Sequence, residues 1–141
     1  MPRITAFMTP AAVTVGENVS CHEAHALMRR LHVRHLPVVR AGRPVGILSL
    51  HGLTFSAATH CDQLRTPVSD VMEPAVIVAG ATPVPVVARR MIEEKLNAVL
   101  VTDGEQLGIF TTVDALYVIV RLTQSDTQPP PPYTTSDRRP L

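Results

Sequence analysis

The order of apolar and polar positions in this chain is repeated. Each half begins with a short apolar stretch, taken to end at Gly16 and at Gly80, and continues with the spacing of an amphipathic helix. The helical apolar positions are Ala24, Leu27, Met28 and Leu31 in the first half, and Val84, Val87, Ala88, Met91 and Ile92 in the second. Ser20 before the first helix, and Thr82 with Pro83 before the second, are typical helix starts.

Two apolar runs follow each helix, and a turn that contains glycine separates them. Glycine at such a turn favours a tight hairpin. The runs are 36–39 and 45–48 in the first half and 98–101 and 107–110 in the second, with Gly42 and Gly104 in the turns. A final helix is predicted over about residues 112–122. Each half is therefore predicted to run strand, helix, strand, strand, helix.

Short motifs recur at nearly constant distance. Phe-Met-Thr-Pro at 7–10 recurs as Val-Met-Glu-Pro at 71–74, which is 64 residues later. Gly-Ile-Leu-Ser at 46–49 recurs as Gly-Ile-Phe-Thr at 108–111, which is 62 residues later. The two copies therefore align with almost no gaps, which is the signature of an internal repeat.

The repeat predicts how the chain is organised. Because one copy is too small to bury both faces of its sheet, the two copies are expected to pack together. We predict an α+β fold with internal pseudo-two-fold symmetry, in which residues 1–60 form the first repeat and residues 61–123 the second. Residues 124–141 are polar and rich in proline, and we interpret them as a disordered or polyproline-like tail.

Composition narrows the class of protein. Hydrophobic residues make up 45% of the chain and charged residues 18%, which indicates a folded core. A formal net charge of +1 gives no strong attraction to nucleic acid or to acidic membranes. Neither a long apolar run nor a signal peptide is recognised, so we expect a cytoplasmic protein. Lys95 is the one lysine among 13 cationic residues, which we interpret as a weak sign of a GC-rich bacterial genome.

The motifs at the strand ends resemble a known family. The order Met-x-Pro, apolar strand, amphipathic helix, His-Leu-Pro-Val-Val at 35–39 and Gly-Ile-Leu-Ser at 46–49 is similar to a CBS domain. The second copy ends in Gly-Ile-Phe-Thr-Thr-Val-Asp at 108–114, which resembles the signature of that family. The resemblance covers about residues 5–122.

The resemblance implies a tandem CBS pair, or Bateman module, with clefts between its repeats. Members of the family commonly bind AMP, ADP, ATP or S-adenosylmethionine in these clefts, and they commonly form disc-shaped homodimers. They usually regulate an attached or partner enzyme, channel or transporter, and we expect this chain itself not to be an enzyme. We therefore expect a regulatory nucleotide sensor that needs no cofactor and acts on an effector in another chain.

The resemblance also implies which residues bind the ligand. Asp114 offers a carboxylate that suits the two hydroxyls of a ribose, and Thr111 offers a hydroxyl to a phosphate at a helix start. Further ligand-binding candidates are Ile77, Val78, Ala79, Ala98 and Val99 around an adenine, and Arg34 and His35 on the phosphate side.

Other interpretations stay open at this point. The spacing of Thr111 and Asp114 is also that of a capping box, which needs no ligand. The first copy has Gly52 where the acidic residue belongs, and Leu96-Asn97 stand where the first copy has Arg34-His35. The chain could therefore be a CBS-pair interaction or dimerisation protein that binds no ligand.

A metal-responsive variant is a further alternative. Cys21, His22 and His25 lie within one helical turn of each other, and His32 and His35 repeat the spacing. Exposed or hydrogen-bonded histidines explain the same pattern, so we assign no metal ligand.

Overall fold

The computed structural model describes residues 2–11, 13–59 and 62–124; apart from residue 124, the expected tail lies outside these residues. The described chain forms two compact units. The C-terminal unit contains residues 2–10 and 77–124, and the N-terminal unit contains residues 11, 13–59 and 62–76. In chain order the elements are β1 (Thr9–Pro10), β2 (Val15–Gly16), α1 (Cys21–Leu31), β3 (His35–Arg40), β4 (Arg43–Ser49), α2 (Leu50–Ala58), β5 (Glu73–Pro74), β6 (Ile77–Ala79), α3 (Val84–Glu94), β7 (Ala98–Asp103), β8 (Gln106–Thr111) and α4 (Thr112–Thr123).

Each unit is built on one four-stranded sheet. The strand order is β2-β3-β4-β5 in the N-terminal unit and β1-β8-β7-β6 in the C-terminal unit. In both, the central pair is an antiparallel hairpin, one neighbour is parallel and the other is antiparallel. The predicted α+β class and the order of elements in each repeat are confirmed.

Tight turns close the two central hairpins, as the glycine positions predict. Ala41 and Gly42 both have positive φ, at 50° and 78°, and they form the two-residue loop between β3 and β4. Gly104, with φ of 63°, opens the corresponding loop between β7 and β8. These angles are the ones that match the twist of adjacent antiparallel strands.

A bulge in β4 explains part of the change in repeat distance. Val38 pairs with Gly46 but Val39 pairs with Pro44, which leaves Val45 as an extra residue in the strand. The second copy has no such shift: Val101 pairs with Gly108 and Thr102 with Leu107.

Two segments, which we call straps, complete the units. The N-terminal strap is residues 2–10 and the linker strap is residues 66–76. The Ile4 N–H donates to the Thr82 carbonyl at 2.8 Å, and the Val68 N–H donates in the same way to the Val19 carbonyl at 2.8 Å. Each strap then adds a short strand, β1 or β5, to the edge of the sheet.

The straps make the structural units differ from the sequence repeats. Residues 2–10 were expected with the first repeat, but they pack with residues 77–124. Residues 62–76 were expected with the second repeat, but they pack with the N-terminal unit. The exchange rests on backbone hydrogen bonds between distant segments and on the burial of Ile4 and Val68, and a repeating apolar pattern reveals neither.

The helix starts confirm one sequence prediction and correct another. Ser20 caps α1, and its Oγ accepts the Glu23 N–H at 3.1 Å, as predicted. The predicted cap at Thr82 is wrong, because Pro83 is the N-cap residue of α3. The strap takes over part of this role: the Val84 N–H donates to the Pro2 carbonyl at 3.0 Å. The equivalent bond in the N-terminal unit joins the Cys21 N–H to the Thr66 carbonyl at 2.9 Å.

Two further predictions are corrected. Ile92 was placed in the buried stripe of α3, but it is 77% exposed and the core contacts come from Val84, Val87 and Met91. Gly16 was aligned with Gly80, but the backbone equivalent of Gly80 is Glu17. The Glu17 N–H donates to the Val39 carbonyl as the Gly80 N–H donates to the Thr102 carbonyl.

The Met-x-Pro motif and the strand glycines have one structural explanation. A side chain at Gly46 would overlap the Met72 sulfur and would lie 2.9 Å from the Glu73 carbonyl oxygen. In the C-terminal unit a side chain at Gly108 would overlap the Met8 sulfur. Glycine in β4 and β8 therefore leaves room for the methionine that precedes each edge strand.

We predict that Gly46→Ala lowers the free energy of unfolding by about 1–3 kcal/mol, because the added methyl group meets both a side chain and a carbonyl that the sheet holds in place. Urea denaturation followed by circular dichroism measures the change. Gly16→Ala is the matched control in the same unit, because the nearest atom to its new methyl group is Val19 Cγ2 at 3.9 Å. Equal stability of the two variants would contradict the packing argument.

Candidate functional site

The junction between β8 and α4 places a hydroxyl and a carboxylate side by side. Thr111 ends the strand and is the N-cap residue of α4. Its Oγ1 accepts the Asp114 N–H at 3.2 Å, and its own N–H donates to Asp114 Oδ2 at 2.9 Å. Both bonds of a capping box are therefore formed, and they satisfy backbone donors at the helix start.

The carboxylate of Asp114 is held firmly by this junction. The Thr111 hydroxyl also lies 3.1 Å from Oδ2, and the Asp114 residue is only 3% exposed. The next residue after the cap is anchored as well, because the Thr112 N–H donates to the Asn97 carbonyl at 3.0 Å. The position of the acidic group is thus fixed by the strand on one side and the helix on the other.

Three of the predicted ligand-binding residues share the sheet face of Thr111. Ala98 pairs with Thr111, and Leu100, two residues further along β7, pairs with Ile77. Because side chains alternate along a strand, Ala98, Ile77 and Ala79 point to the same side of the sheet as Thr111. Ile77 and Ala79 are exposed.

Val78 and Val99 are placed differently. Strand alternation turns their side chains to the opposite face of the sheet, and both are buried. Val99 pairs there with Phe110, which is also buried. These two residues could offer a ligand only backbone groups. Strand β6 lies at the edge of its sheet, so backbone N–H and C=O groups along its outer side have no partner strand in the described chain. One backbone group of this strand, the Ala79 carbonyl, already accepts the Thr82 N–H at 3.0 Å.

Arg34 and His35 belong to the N-terminal unit, where they lie at the equivalent junction. His35 pairs with Ser49, and the Arg34 carbonyl accepts the Leu50 N–H at 2.7 Å. The equivalent residues in the C-terminal unit are Asn97 and Ala98, because their backbones make the matching contacts. The sequence alignment of Leu96-Asn97 with Arg34-His35 is therefore wrong by one residue.

The N-terminal junction has half of the capping arrangement. Ser49 Oγ accepts the Gly52 N–H at 2.9 Å, as Thr111 does with Asp114. Gly52 has no side chain to return the bond, so this junction presents a hydroxyl without an acid. The N-terminal junction instead has the exposed Arg34 and the half-buried His35 beside it. The two units therefore differ in charge at the same position of the fold.

The environment of His35 opposes its protonation. Burial lowers the pKa of the imidazole below its ordinary value of 6.5, and the positive charge of Arg34 lowers it further. Near neutral pH the side chain is therefore an uncharged donor and acceptor, while Arg34 carries the positive charge of the pair.

A surface depression that the sequence did not point to lies in the N-terminal unit, with a volume of about 490 Å³. Arg40 Nε donates to Glu17 Oε2 at 2.7 Å in its lining. The lining residues are Gly16, Glu17, Asn18, Val19, Glu23, Val39, Arg40 and Ala41. They come from the ends of β2 and β3 and the start of α1, so no local sequence motif could have signalled them.

Metal-binding and membrane-spanning features are both absent from residues 2–11, 13–59 and 62–124. No group of three His, Cys, Asp or Glu side chains there could hold a metal ion, whereas His60 and Cys61 lie outside those ranges.

Of the helices that the structure describes, none combines the length and apolar character needed to cross a membrane.

Comparison with known proteins identifies the fold independently. The family model described as "CBS domain" matches residues 4–56 and 68–121. The cytosolic domain of the Mg²⁺ channel MgtE in complex with ATP is 32% identical, with a TM-score of 0.66 over 82% of this chain and 48% of that one.

Two other solved structures match nearly their full length. CBSX2 in complex with AMP is 23% identical, with a TM-score of 0.68 over 88% of this chain and 100% of that one. The CBS domain pair of MJ0100 in complex with 5′-methylthioadenosine and S-adenosyl-L-methionine is 22% identical, with a TM-score of 0.74 over 86% of this chain and 98% of that one. These two likenesses show the fold.

We predict that His35 makes stability depend on pH. Its pKa is 6.5 in the unfolded chain and lower in the folded chain, so the unfolded chain binds the proton first as the pH falls. Stability is therefore lost from about pH 6.5 downward, until the folded-state pKa is passed. His35→Ala, which copies Ala98, should lose less stability than the wild type between pH 7.5 and pH 5, about the range in which histidines titrate.

Thermal unfolding at a series of pH values measures this difference. His51→Ala removes an exposed histidine from α2 and is the matched control. An unchanged pH slope in His35→Ala would show that burial of the imidazole does not influence folding.

Proposed function

Because this chain belongs to the CBS-domain family and carries two copies of the domain, we propose that it is a regulatory module that binds an adenosine nucleotide. The proposed ligand is AMP, ADP or ATP, and its binding modulates a partner protein. One observation carries the proposal: Thr111 and Asp114 are held together at a helix start, on a sheet whose same face carries Ala98 and the exposed Ile77 and Ala79.

The chemistry of this site suits the parts of a nucleotide. A carboxylate accepts hydrogen bonds from paired hydroxyl groups, as on a ribose. A hydroxyl at the start of α4, a helix of 12 residues, suits a phosphate oxygen, and the field of the helix favours negative charge there. The small Ala79 and Ala98 beside Ile77 leave an apolar surface for a flat base.

The bound molecules of the solved relatives support the ligand class. ATP in the MgtE domain, AMP in CBSX2, and methylthioadenosine with S-adenosylmethionine in MJ0100 all contain an adenosine group. The MgtE domain carries most weight because it is the most similar of the three in sequence. The shared adenosine group is what we transfer to this chain, and S-adenosylmethionine stays an alternative ligand.

Each unit is proposed to offer its own groups to a ligand. In the C-terminal unit the proposed ribose contact is the Asp114 carboxylate of the acidic junction. In the N-terminal unit the proposed phosphate-side residues are Arg34 and His35, with Arg34 supplying the positive charge. A chain with one acidic junction is expected to bind one nucleotide.

The proposal includes the setting in which the module works. It acts in the cytoplasm as a homodimer on a separate effector protein, binds neither nucleic acid nor membrane, and catalyses no reaction. The nucleotide acts by differential affinity: it stabilises the conformation of the module that it binds best, and the effector responds to that conformation.

One observation favours a second candidate, an interaction protein without a ligand. The Asp114 carboxylate is almost completely buried, and its Oδ2 already lies within hydrogen-bonding distance of two groups of Thr111. A capping role alone would account for this geometry. Under this candidate, Asp114→Ala changes the stability by about 1 kcal/mol and leaves partner binding unchanged.

Isothermal titration calorimetry with AMP, ADP, ATP and S-adenosylmethionine separates the two candidates. We expect the wild type to bind at least one of them, and Asp114→Ala to weaken that binding roughly 10- to 100-fold, as expected for loss of a hydrogen bond to a charged group. Ser20→Ala is the matched control because it also removes a helix cap, that of α1.

Ser20→Ala is expected to lose similar stability but to keep the affinity of the wild type. Absence of heat with all four compounds would reject the nucleotide proposal. Equal affinity of Asp114→Ala and the wild type would reject the assigned site.

A further inference from the structure

Helix α1 ends in a concentration of positive charge. Arg29 and Arg30 lie in its last turn, His32 is its C-cap residue, and Arg34 comes directly before β3. All four residues are exposed, and we call them the basic corner. Because arginine stays charged at physiological pH, the corner carries three fixed positive charges within six residues of sequence.

This part of the chain has no acidic residues to neutralise that charge. Residues 24–59 contain five arginines and no Asp or Glu. Within the part of the chain that the structure describes, neither Arg29 nor Arg30 forms an ion pair. On α3, by contrast, Arg90 donates to Glu94 Oε2 at 2.6 Å. The guanidinium groups of Arg29 and Arg30 are therefore available to an external negative group.

The fold itself does not require these two arginines. The C-cap residues of α1 and α3 both have left-handed backbone, and their N–H groups donate at 3.4 Å to the carbonyls of Arg29 and Ile92. Ile92 and Glu93 therefore stand in α3 where α1 has Arg29 and Arg30. Cations favour a helix C-terminus through the helix dipole, but α3 ends in the same geometry without this pair.

The chemistry and the size of the basic corner suit a peptide segment rich in carboxylates. A guanidinium group can bind a carboxylate through two parallel hydrogen bonds. Nucleic acids and anionic membranes are bound through broader positive surfaces, which neutralise many phosphates or headgroups at once. The formal net charge of the whole chain is only +1, so the positive surface here is local.

We propose that the basic corner is a docking site for a segment rich in Asp and Glu on the effector protein. The proposal rests on the separate effector included in the proposed function, and it adds the surface and the chemistry by which that effector is recognised. Single exposed ion pairs are weak, so recognition needs several of them together and weakens as the salt concentration rises.

A fluorescein-labelled deca-glutamate peptide is the probe, and fluorescence anisotropy at about 50 and 150 mM salt measures its binding. Arg29→Gln combined with Arg30→Gln is expected to weaken binding about tenfold at the lower salt concentration, as loss of two exposed ion pairs would. Arg34 stays unchanged, because the proposed function assigns it to the phosphate side. Arg43→Gln combined with Arg89→Gln removes two exposed arginines outside the corner and is expected to keep nearly the wild-type affinity.

Three results would overturn the inference. The first is a wild type that does not bind the peptide at the lower salt concentration, and the second is equal weakening by the two double variants. The third is tighter binding of the wild type to a DNA duplex than to the peptide, which would assign the corner to nucleic acid. Thermal unfolding adds a check: lower stability of the corner variant with unchanged peptide affinity would leave Arg29 and Arg30 only a role in ending α1.

Calorimetry with ATP on the same proteins separates this inference from the proposed function. The corner variant is expected to keep the ATP affinity of the wild type. Parallel loss of ATP and peptide affinity would place Arg29 and Arg30 in the nucleotide site and would overturn the inference. A wild type that binds the peptide through the corner but binds no nucleotide overturns only the nucleotide proposal.

Discussion

The backbone hydrogen bonds of the straps are the constraint on which both units depend. A helix start that is buried needs acceptors for its first N–H groups. The Pro2 and Thr66 carbonyls provide them for α3 and α1. Ile4 and Val68, the equivalent strap residues, are completely buried. Each strap is one short segment that accepts a hydrogen bond from a helix start, buries an apolar side chain in the core and adds a strand to the sheet.

The sequence predicted the helices and hairpins well because they depend on residues that are close together in the chain. Helical spacing located α1 and α3, and glycine in the turns located both hairpins. The sequence predictions failed where a distant segment of the chain decides the structure. Pro83 can occupy the N-cap position of α3 because the Pro2 carbonyl accepts a helix donor. Ile92 has the apolar character of a core residue but lies at the exposed end of its helix. The bulge at Val45 leaves no mark in the apolar pattern beyond a change of one in the repeat distance.

The candidate site was predictable in part. The spacing of Thr111 and Asp114 indicated a capping box, and the structure shows both of its bonds. Alternation along β6 and β7 is by itself enough to separate Val78 and Val99 from Ile77 and Ala98. Arg34 and His35 can be aligned correctly with the second copy only when the strand register is known. A difference of one residue in loop length between the copies shifts the alignment and is not visible in the sequence. A carboxylate that the Thr111 N–H holds in place loses little further freedom when a ligand arrives.

The straps have a consequence for how one copy of the repeat can fold. The structural seams fall after residues 10 and 76, not at the boundaries of the duplicated sequence. A single copy that kept this arrangement would carry a strap that belongs to another copy, and it would complete its fold by exchanging straps with a second molecule. In the tandem chain the same exchange takes place within one molecule, so it does not depend on protein concentration.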